Sequence, residues 1–369
     1  MRVAVLGAGG TIAPAIVRDL GESDEVSELV LLDLDAERAG RVAEAHGGGK
    51  ARATMVDARA GGAEPGSLRG ALAGCQALVN SASYRVNLDA MRACLEAQCH
   101  YLDLGGLYHL TGEQLELHPD FEQAGLTAVL GIGSAPGKTN LMARVAADRL
   151  GGTVEAMHVS AAGRDLDPPP GFSVPYALRT LIDELTMAPV ALRDGEPVEL
   201  EPMADGGTVE FGEPTGAAPS IYTLHSEMRT FGPSFGARTA SFRLSLAPAL
   251  LDRLRELAEG PEEAIDRAAR EAEPPSPNTF SVHLVDASNG DQAVRVRAVT
   301  RPHEEWGLGG GIVSTATPVA AAVRLMARGS IEARGVLPPE ECIDPDEMFA
   351  ELEPRGVSFE IEVSEGVRA

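Results

Sequence analysis

Short apolar segments alternate with helix-period segments through the first third of the chain, and this alternation limits the fold more than any other feature. Runs such as RVAVLG, ELVLLDLD, ALVNSAS and HYLDLGG are separated by segments such as APAIVRDL and LDAMRACLEAQ. Buried strands that alternate with helices build βαβ units, in which both faces of a parallel sheet are covered. The sequence therefore predicts an α/β fold that begins with a doubly wound Rossmann domain over residues 1–133.

Beyond about residue 150 the pattern changes to longer segments in which polar and apolar residues alternate. TVEAMHVSAAG, SIYTLHSEMRTF, TASFRLSLA and AVRVRAVTR are of this kind, with the helical segments PALLDRLRELAEG and PEEAIDRAAREAE between them. The glycine and proline content of residues 201–220 predicts a loop. We therefore predict a second, α+β domain with a mixed, largely antiparallel sheet over residues 134–308, followed by a C-terminal segment over residues 309–369.

The charge balance argues against several kinds of partner. A formal net charge of −24 creates a field that repels nucleic-acid phosphates and anionic lipid surfaces. We expect the first strand to begin at residue 2 with no leader segment before it, and we expect no apolar run of membrane length. The four cysteines lack the paired spacing of zinc sites, and no metal site is expected. These features favour a cytoplasmic enzyme with no nucleic-acid or membrane partner.

A glycine-rich turn follows the first apolar run directly and precedes a helix. Gly7, Gly9 and Gly10 lie in this turn, with Thr11 and Ile12 after them. In a dinucleotide site the first glycine forms a tight turn, the second lets the pyrophosphate approach, and the helix N-terminus supplies N–H donors. Ile12 occupies the third glycine position of that motif, which weakens the match.

Acidic residues at strand ends support the same interpretation. Asp33 ends LVLLD about twenty residues past the loop, where a carboxylate accepts hydrogen bonds from ribose hydroxyls. Such a carboxylate favours NAD over NADP, although Arg38 nearby keeps NADP open. Asp57 and Ala58, after the next strand, are candidates for adenine contacts, with capping of the strand end as the alternative for Asp57.

A second glycine-rich segment, GIGSAPGKTN, raises the alternative of a nucleoside triphosphate site. A phosphate-binding loop of that type needs glycine five residues before Gly137, where this chain has Ile132. The loop length is therefore wrong for a triphosphate, and we interpret the segment as a turn that leads into a helix beginning near Asn140.

Several segments together resemble the saccharopine dehydrogenase family. They are the glycine loop with Asp33 and the runs NSASYRVNLDAMRACLEAQCHYLDLGGLYHLT, ELHPDFEQAGLTAVLGIGSAPGKTNLMA and GIVSTATPVAAAVRLMARGSIEARGVLPPE. Within the family, the lysine 6-dehydrogenases are the most similar group. The similarity is weakest between residues 165 and 300, where substrate identity is normally decided.

The resemblance implies a nicotinamide-dependent enzyme that transfers hydride at a carbon–nitrogen bond of an amino acid or amine. It further implies a second domain that carries the substrate and the homodimer interface, and a C-terminal segment that packs back on the first domain. Ser81 and Ala82, in NSAS, are then expected on the nicotinamide side of the cofactor. Lysine itself is uncertain as the substrate, because Lys138 stands where the lysine enzymes have an apolar residue.

Four residues at predicted strand ends could carry the chemistry, because amine oxidation needs a base near the reacting carbon. Asp103 matches an aspartate of the family motif and is a candidate for amine binding or proton transfer, or else caps the following turn. Tyr108 and His109 follow it, and packing at a domain boundary is their alternative. Lys138 could bind a carboxylate or phosphate, or act as a base if desolvated, or simply lie at the surface.

In the second domain, His225 and Arg238 are candidate substrate ligands. His225 lies in IYTLHSE, a polar group on a run that otherwise predicts a strand, and an arginine fork binds carboxylates in two-point geometry. Exposure on the sheet surface is the alternative for each. At the level of the whole protein, the alternative function is a dinucleotide-binding sensor or scaffold without catalysis, and a flavin enzyme is a weaker third.

Overall fold

The computed structural model describes residues 1–60, 62, 64 and 66–365. In chain order the strands are β1 (Arg2–Leu6), β2 (Glu28–Asp33), β3 (Ala51–Met55), β4 (Ala77–Asn80), β5 (His100–Asp103), β6 (Thr127–Val129), β7 (Ala156–Asp165), β8 (Val190–Arg193), β9 (Glu196–Glu199), β10 (Asp205–Glu210), β11 (Ala217–Tyr222), β12 (Thr239–Ser245), β13 (Thr279–Ser288), β14 (Gln292–Thr300), β15 (Gly335–Leu337) and β16 (Val357–Glu365).

The α-helices are α1 (Ala13–Glu22), α2 (Ala36–His46), α3 (Leu68–Ala71), α4 (Asn87–Ala97), α5 (Leu107–Leu115), α6 (His118–Gln123), α7 (Lys138–Leu150), α8 (Leu178–Thr186), α9 (Glu227–Phe235), α10 (Pro248–Glu259), α11 (Glu262–Glu271), α12 (Gly310–Arg328), α13 (Pro339–Cys342) and α14 (Pro345–Leu352). Short 3-10 turns cover Tyr84–Val86, Glu304–Trp306 and Glu353–Arg355.

The chain divides into two compact units, each made of two segments. The first unit contains Met1–Lys138 and Thr315–Leu352, and the second contains Thr139–Ser314 and Glu353–Ala369. The predicted C-terminal segment, 309–369, is thus shared between them. Its strand β15 pairs with β6 in the first unit, and its strand β16 pairs with β14 in the second.

A seven-stranded, wholly parallel sheet forms the centre of the first unit, in the order β15-β6-β5-β4-β1-β2-β3. Its central strands are buried along almost their whole length, because helices cover both faces, and their sequences are accordingly apolar throughout. The strand order reverses direction at β1, so that the crevice at the carboxyl ends of β1 and β4 is where such folds bind ligands. The predicted doubly wound Rossmann domain is confirmed.

A nine-stranded mixed sheet forms the centre of the second unit, in the order β10-β11-β12-β7-β13-β14-β16, with the β8–β9 hairpin attached to β12. Among the described strands of this sheet, the β7–β12 pair is parallel and the other pairs are antiparallel. Helices α8, α10 and α11 bury Leu181, Leu254 and Ala268 in a common apolar cluster. The predicted α+β domain with a largely antiparallel sheet is confirmed.

Two local predictions in the second unit are wrong. Residues 201–220 contain strand β10 and most of β11, because an antiparallel hairpin satisfies the backbone while Val209, Phe211 and Ala218 supply apolar contacts to a buried cluster. The run SIYTLHSEMRTF is not one strand: β11 ends at Tyr222 and helix α9 begins at Glu227. The buried Met228 and Phe231 are three residues apart, which is a helical spacing that the alternating pattern concealed.

Helix α12 also departs from expectation. Its 19 residues are long and apolar enough to cross a bilayer by length and composition, whereas the sequence analysis expected no such segment. Within the structure, 78% of its most apolar window is buried inside the protein, as in the core helix of a globular fold.

Candidate active site

The turn after β1 has the geometry of a phosphate-binding loop. Gly7 adopts φ +77°, and a Cβ at this position would lie 2.6 Å from the backbone N and Cα of Ala82, at the end of β4. Only glycine accommodates both the dihedral angle and this close approach. The loop is therefore held directly against the neighbouring strand end, at the position where the sheet order reverses.

The rest of the loop opens onto the N-terminus of α1. Gly10 and Thr11 are exposed, whereas Ile12, the residue at the missing third glycine, is buried and supplies no side-chain cap to the helix. Helix N-termini without a side-chain cap present N–H donors to an anionic ligand. The residues present therefore fit the pyrophosphate of a dinucleotide.

Asp33 ties the glycine loop to the end of β2. Its Oδ2 accepts a hydrogen bond from the N–H of Gly9 at 2.8 Å, and its Oδ1 accepts one from the N–H of Asp35 at 2.9 Å. A Cβ on Gly9 would lie 3.2 Å from the same carboxylate and 3.1 Å from Cβ of Arg38. Asp33 and Arg38 thus border the same part of the loop, and both are partly or fully accessible.

The other predicted cofactor residues also lie around the carboxyl edge of the sheet. Asp57 is exposed, and its Oδ1 accepts from the N–H of Arg59 at 2.9 Å, so it caps its own turn while it remains open to solvent. Ala58 is half-buried next to it. Ser81 Oγ donates to the carbonyl of Leu6 at 2.8 Å, which joins the end of β4 to that of β1.

Asp103 lies at the end of β5 and is buried, with 1% of its surface exposed. Its Oδ1 accepts from the N–H groups of Gly131 at 2.6 Å and Gly105 at 3.0 Å. Its Oδ2 accepts from Gln114 Nε2 at 2.6 Å and Tyr101 Oη at 3.0 Å. Burial raises the pKa of the Asp103 carboxyl, and these hydrogen bonds act in the opposite direction.

A buried amide completes the surroundings of Asp103. Asn87 Nδ2 donates to Asp103 Oδ2 at 3.1 Å and to the carbonyl of Gly105, and its Oδ1 accepts from Asn80 at 2.9 Å. Sequence analysis did not identify Asn80, Asn87 or the other donors. The one available signal was the presence of amides in otherwise apolar segments, since buried polar groups need partners.

Lys138 begins α7 directly after the Gly131–Gly137 turn and is fully buried at 0% exposure. Burial lowers the pKa of its ammonium group to about 7. An amine with this pKa is about half unprotonated at neutral pH and can therefore accept a proton. The surface alternative for Lys138 is excluded by its burial.

Tyr108 and His109 occupy the first turn of α5. Tyr108 is half-buried and His109 is exposed, and their rings meet edge to face with centroids 5.2 Å apart. Both follow the Asp103 loop and lie on the carboxyl side of the parallel sheet, as the sequence analysis predicted for strand-end residues.

His225 is buried between two carboxylates in the second unit. Its Nδ1 lies 3.4 Å from Glu227 Oε2 and its Nε2 lies 3.9 Å from Glu184 Oε2, while its ring stacks on Phe242 at 3.4 Å. Burial alone would lower the pKa of His225, but the adjacent Glu227 outweighs this effect and the pKa is raised. Sequence analysis did not connect these carboxylates with His225, because they come from helices α8 and α9.

Arg238 lies elsewhere in the same unit. Its side chain is 65% exposed and forms a 2.9 Å ion pair with Asp194 in the β8–β9 turn. The structure therefore does not bring Arg238 together with the buried His225. Among the described residues, no group of three or more histidines, cysteines or carboxylates is arranged to hold a metal ion.

Comparisons with known proteins show similarity to the domain and the fold described above. Residues 3–129 match the family model of the saccharopine dehydrogenase NADP-binding domain. The solved L-glutamate-forming saccharopine dehydrogenase from Saccharomyces cerevisiae is similar in fold, with a TM-score of 0.73 over 98% of this chain and 99% of that chain, at 15% identity. A myo-inositol dehydrogenase from Corynebacterium glutamicum is less similar, with a TM-score of 0.45 over 100% of this chain and 99% of that chain, at 14% identity.

The matched residues include the glycine loop and Asp33, and end at β6. This domain indicates a nicotinamide dinucleotide as the cofactor, and the family resemblance seen in the sequence is confirmed. Residues 3–129 thus form a domain of the saccharopine dehydrogenase NADP-binding type, as expected of a nicotinamide dinucleotide-dependent oxidoreductase.

Proposed function

We propose that this protein oxidises or forms a carbon–nitrogen bond of an amino acid or amine, with hydride transferred to or from a nicotinamide cofactor. The observation that carries the proposal is a buried amine, Lys138, at the carboxyl edge of a saccharopine dehydrogenase-type domain. Hydride leaves a carbon–nitrogen centre only when the nitrogen is unprotonated, so the reaction needs a base of this kind.

A nicotinamide dinucleotide held by the glycine loop and Asp33 would supply the hydride acceptor in the oxidative direction. In the same direction Lys138 Nζ removes a proton from the substrate ammonium group, which frees the nitrogen lone pair that stabilises the product iminium. A base works best when its pKa is close to the working pH, and the pKa of Lys138, about 7, meets this condition. Tyr108, His109, His225 and Arg238 stay predictions as substrate or proton-transfer residues.

We propose NAD as the preferred cofactor. Asp33 already accepts from the Gly9 N–H with one oxygen, and its remaining lone pairs suit ribose hydroxyls. A 2′-phosphate would lie beside this carboxylate and be repelled by it. Arg38 at the same loop favours the alternative, NADP, and the ratio of the two affinities distinguishes them.

The substrate proposal follows the resemblance of the sequence to the lysine 6-dehydrogenases. A small amine or amino acid is the partner that we expect, with lysine, saccharopine and diamines as the first compounds to test. We also propose a cytoplasmic homodimer, and light scattering that shows a monomer would contradict this part of the proposal.

The decisive experiment follows nicotinamide absorbance while purified protein is mixed with NAD or NADP and a panel of amines and amino acids. Turnover with a member of the panel supports the proposal, and a Lys138→Met variant should then lose turnover but still bind NADH. Binding of NADH without turnover of any amine supports the alternative, a sensor or scaffold that has lost its chemistry. If lysine is not turned over while another member of the panel is, the similarity to lysine 6-dehydrogenases does not extend to the substrate.

A further inference from the structure

We infer that Asp103 acts as a buried anion that positions the turn carrying Lys138, and that it takes no part in proton transfer. The inference rests on the proposed function, because that proposal makes Lys138 the base of the reaction. Its evidence is the set of contacts around the Asp103 carboxylate and along the Gly131–Gly137 turn.

The charge state of Asp103 follows from its partners. Five groups contact its two oxygens, and all five are donors: two backbone N–H groups, two side-chain amides and one hydroxyl, from Gly105, Gly131, Asn87, Gln114 and Tyr101. An ionised carboxylate is the only form of this side chain that accepts on both oxygens without offering a hydrogen. A proton on Oδ1 would face two backbone N–H groups, which cannot accept it, and a proton on Oδ2 could be accepted only if Tyr101 Oη gave up its own donation to Asp103.

The same residue holds the turn through both its side chain and its backbone. Asp103 Oδ1 accepts from the Gly131 N–H at 2.6 Å, and the Asp103 carbonyl accepts from the Ile132 N–H at 2.7 Å. Further along, the Lys138 N–H donates to the carbonyl of Gly133 at 2.9 Å. A short series of hydrogen bonds therefore connects the Asp103 carboxylate to the first residue of α7.

Close packing keeps this arrangement in place. Pro136 lies between two glycines: a Cβ on Gly131 would be 2.8 Å from Pro136 Cγ, and one on Gly105 would be 3.0 Å from it. Gly131 also adopts φ +62°, which favours glycine. The turn is therefore packed closely against the loop after β5, and we expect a change in the Asp103 contacts to be transmitted along it to Lys138.

The test observes Lys138 directly. The sequence contains two lysines, Lys50 and Lys138, so protein labelled with ε-¹³C lysine shows two signals, which Lys50→Arg assigns. In Asp103→Asn, an amide group faces the donors and the turn loosens, so water reaches Lys138. We expect its pKa to rise from about 7 toward the ordinary lysine value, about 10.4. A fall in the Lys138 pKa would mean that the Asp103 carboxylate stabilises the Lys138 ammonium group directly. Either that fall or an unchanged Lys138 pKa would overturn the inference.

Two further variants keep the test valid even if the Asp103→Asn protein does not fold. Gly131→Ala leaves the carboxylate intact but places a Cβ 2.8 Å from Pro136 Cγ, which distorts the turn from within, and it should also raise the Lys138 pKa. Tyr101→Phe removes one donor and leaves the turn untouched, so the Lys138 signal should titrate as in the wild type. If Gly131→Ala leaves the pKa unchanged, the turn does not control Lys138 and the inference fails.

The outcome is separable from that of the proposed function, because the titration needs no substrate. If the protein turns over no amine but the variants shift Lys138 as expected, the proposed function fails and the positioning role stands. If the wild type is active and Asp103→Asn retains its pH–rate profile and the Lys138 pKa, the positioning role fails alone.

Discussion

Arg324 in α12 donates a hydrogen bond from Nη1 to Oδ1 of Asp19 in α1 at 2.8 Å, although 305 positions of sequence separate them. Both side chains are almost fully buried, at 3% and 1% exposure. The Nε of Arg324 also donates to Glu351 in α14 at 2.6 Å. This buried ion pair joins the C-terminal elements of the first unit to the helix that follows the glycine loop.

Removal of Arg324 should destabilise the first unit strongly. Arg324→Met removes the guanidinium that pairs with the buried carboxylate of Asp19, and breaking a buried ion pair costs about 3–5 kcal/mol in the free energy of unfolding. Arg328→Met is the matched control, because its side chain is 46% exposed and exposed pairs contribute about 0–1 kcal/mol. Urea denaturation measures both. Equal losses in the two variants would contradict the importance of the buried pair.

Gly7→Ala should impair both folding and dinucleotide binding. Its Cβ would lie 2.6 Å from backbone atoms of Ala82 at a positive φ, and strain of this kind costs about 1–3 kcal/mol. Gly40→Ala in α2 is the control, because its Cβ would meet nothing within 4 Å and alanine favours a helix by about 0.5–1 kcal/mol. Thermal unfolding and NADH fluorescence titration give the two readouts. Normal NADH affinity in Gly7→Ala would refute the assigned loop.

Asp33→Ser should change the preference between cofactors. Loss of the carboxylate removes an acceptor for ribose hydroxyls and the repulsion of a 2′-phosphate. Hydrogen bonds to charged groups contribute about 1.5–3 kcal/mol, so the NADH-to-NADPH affinity ratio should fall at least tenfold. Asp35→Ser is the control, since Asp35 caps α2 through the N–H groups of Glu37 and Arg38. An equal effect in both variants would show that Asp33 does not select the cofactor.

Lys138 should make stability depend on alkaline pH. Its folded-state pKa, about 7, lies below the unfolded value of about 10.4, so the unfolded chain binds more protons between these values. Stability of the wild type should therefore rise with pH across this window, by up to about 1.4 kcal/mol per pH unit. Lys138→Met should be more stable than the wild type at pH 6, with the difference narrowing toward pH 10. A difference that stays constant with pH would contradict the lowered pKa.

Glu227 should control the charge of His225. The adjacent carboxylate raises the pKa of the imidazole against the effect of burial, so Glu227→Gln should lower that pKa, as an NMR titration of the ring would show. Because the folded pKa is raised, the stabilisation from His225 is complete below its unfolded value and is lost as pH rises through the folded pKa. Thr139→Val is the control: it removes a 2.9 Å hydrogen bond to Glu227 but leaves the carboxylate, so the His225 pKa should not fall. Equal titration in Glu227→Gln and wild type would exclude the pairing.

Local patterns in the sequence were sufficient for the architecture and for the cofactor loop. Alternating apolar runs and helical periods report which backbone segments are buried, and they predicted the parallel sheet and the mixed sheet. The glycine turn and Asp33 lie close together because both follow adjacent parallel strands, β1 and β2. The same kind of pattern failed at residues 201–220 and in the run that contains His225, where hairpin pairing and a short helix override the local signal.

Only the tertiary structure decided the charge and surroundings of the chemical groups. Asp103 accepts hydrogen bonds from four other elements or turns, from residues up to 28 positions away. The pKa of Lys138 is low because the side chain is buried, which the neighbouring residues in the sequence do not predict. His225 is paired by carboxylates from two helices, and Arg238 is turned toward Asp194 at the surface. Periodicity records whether a segment is buried, but the proton affinity of a side chain depends on which distant atoms the fold brings within a few ångströms of it.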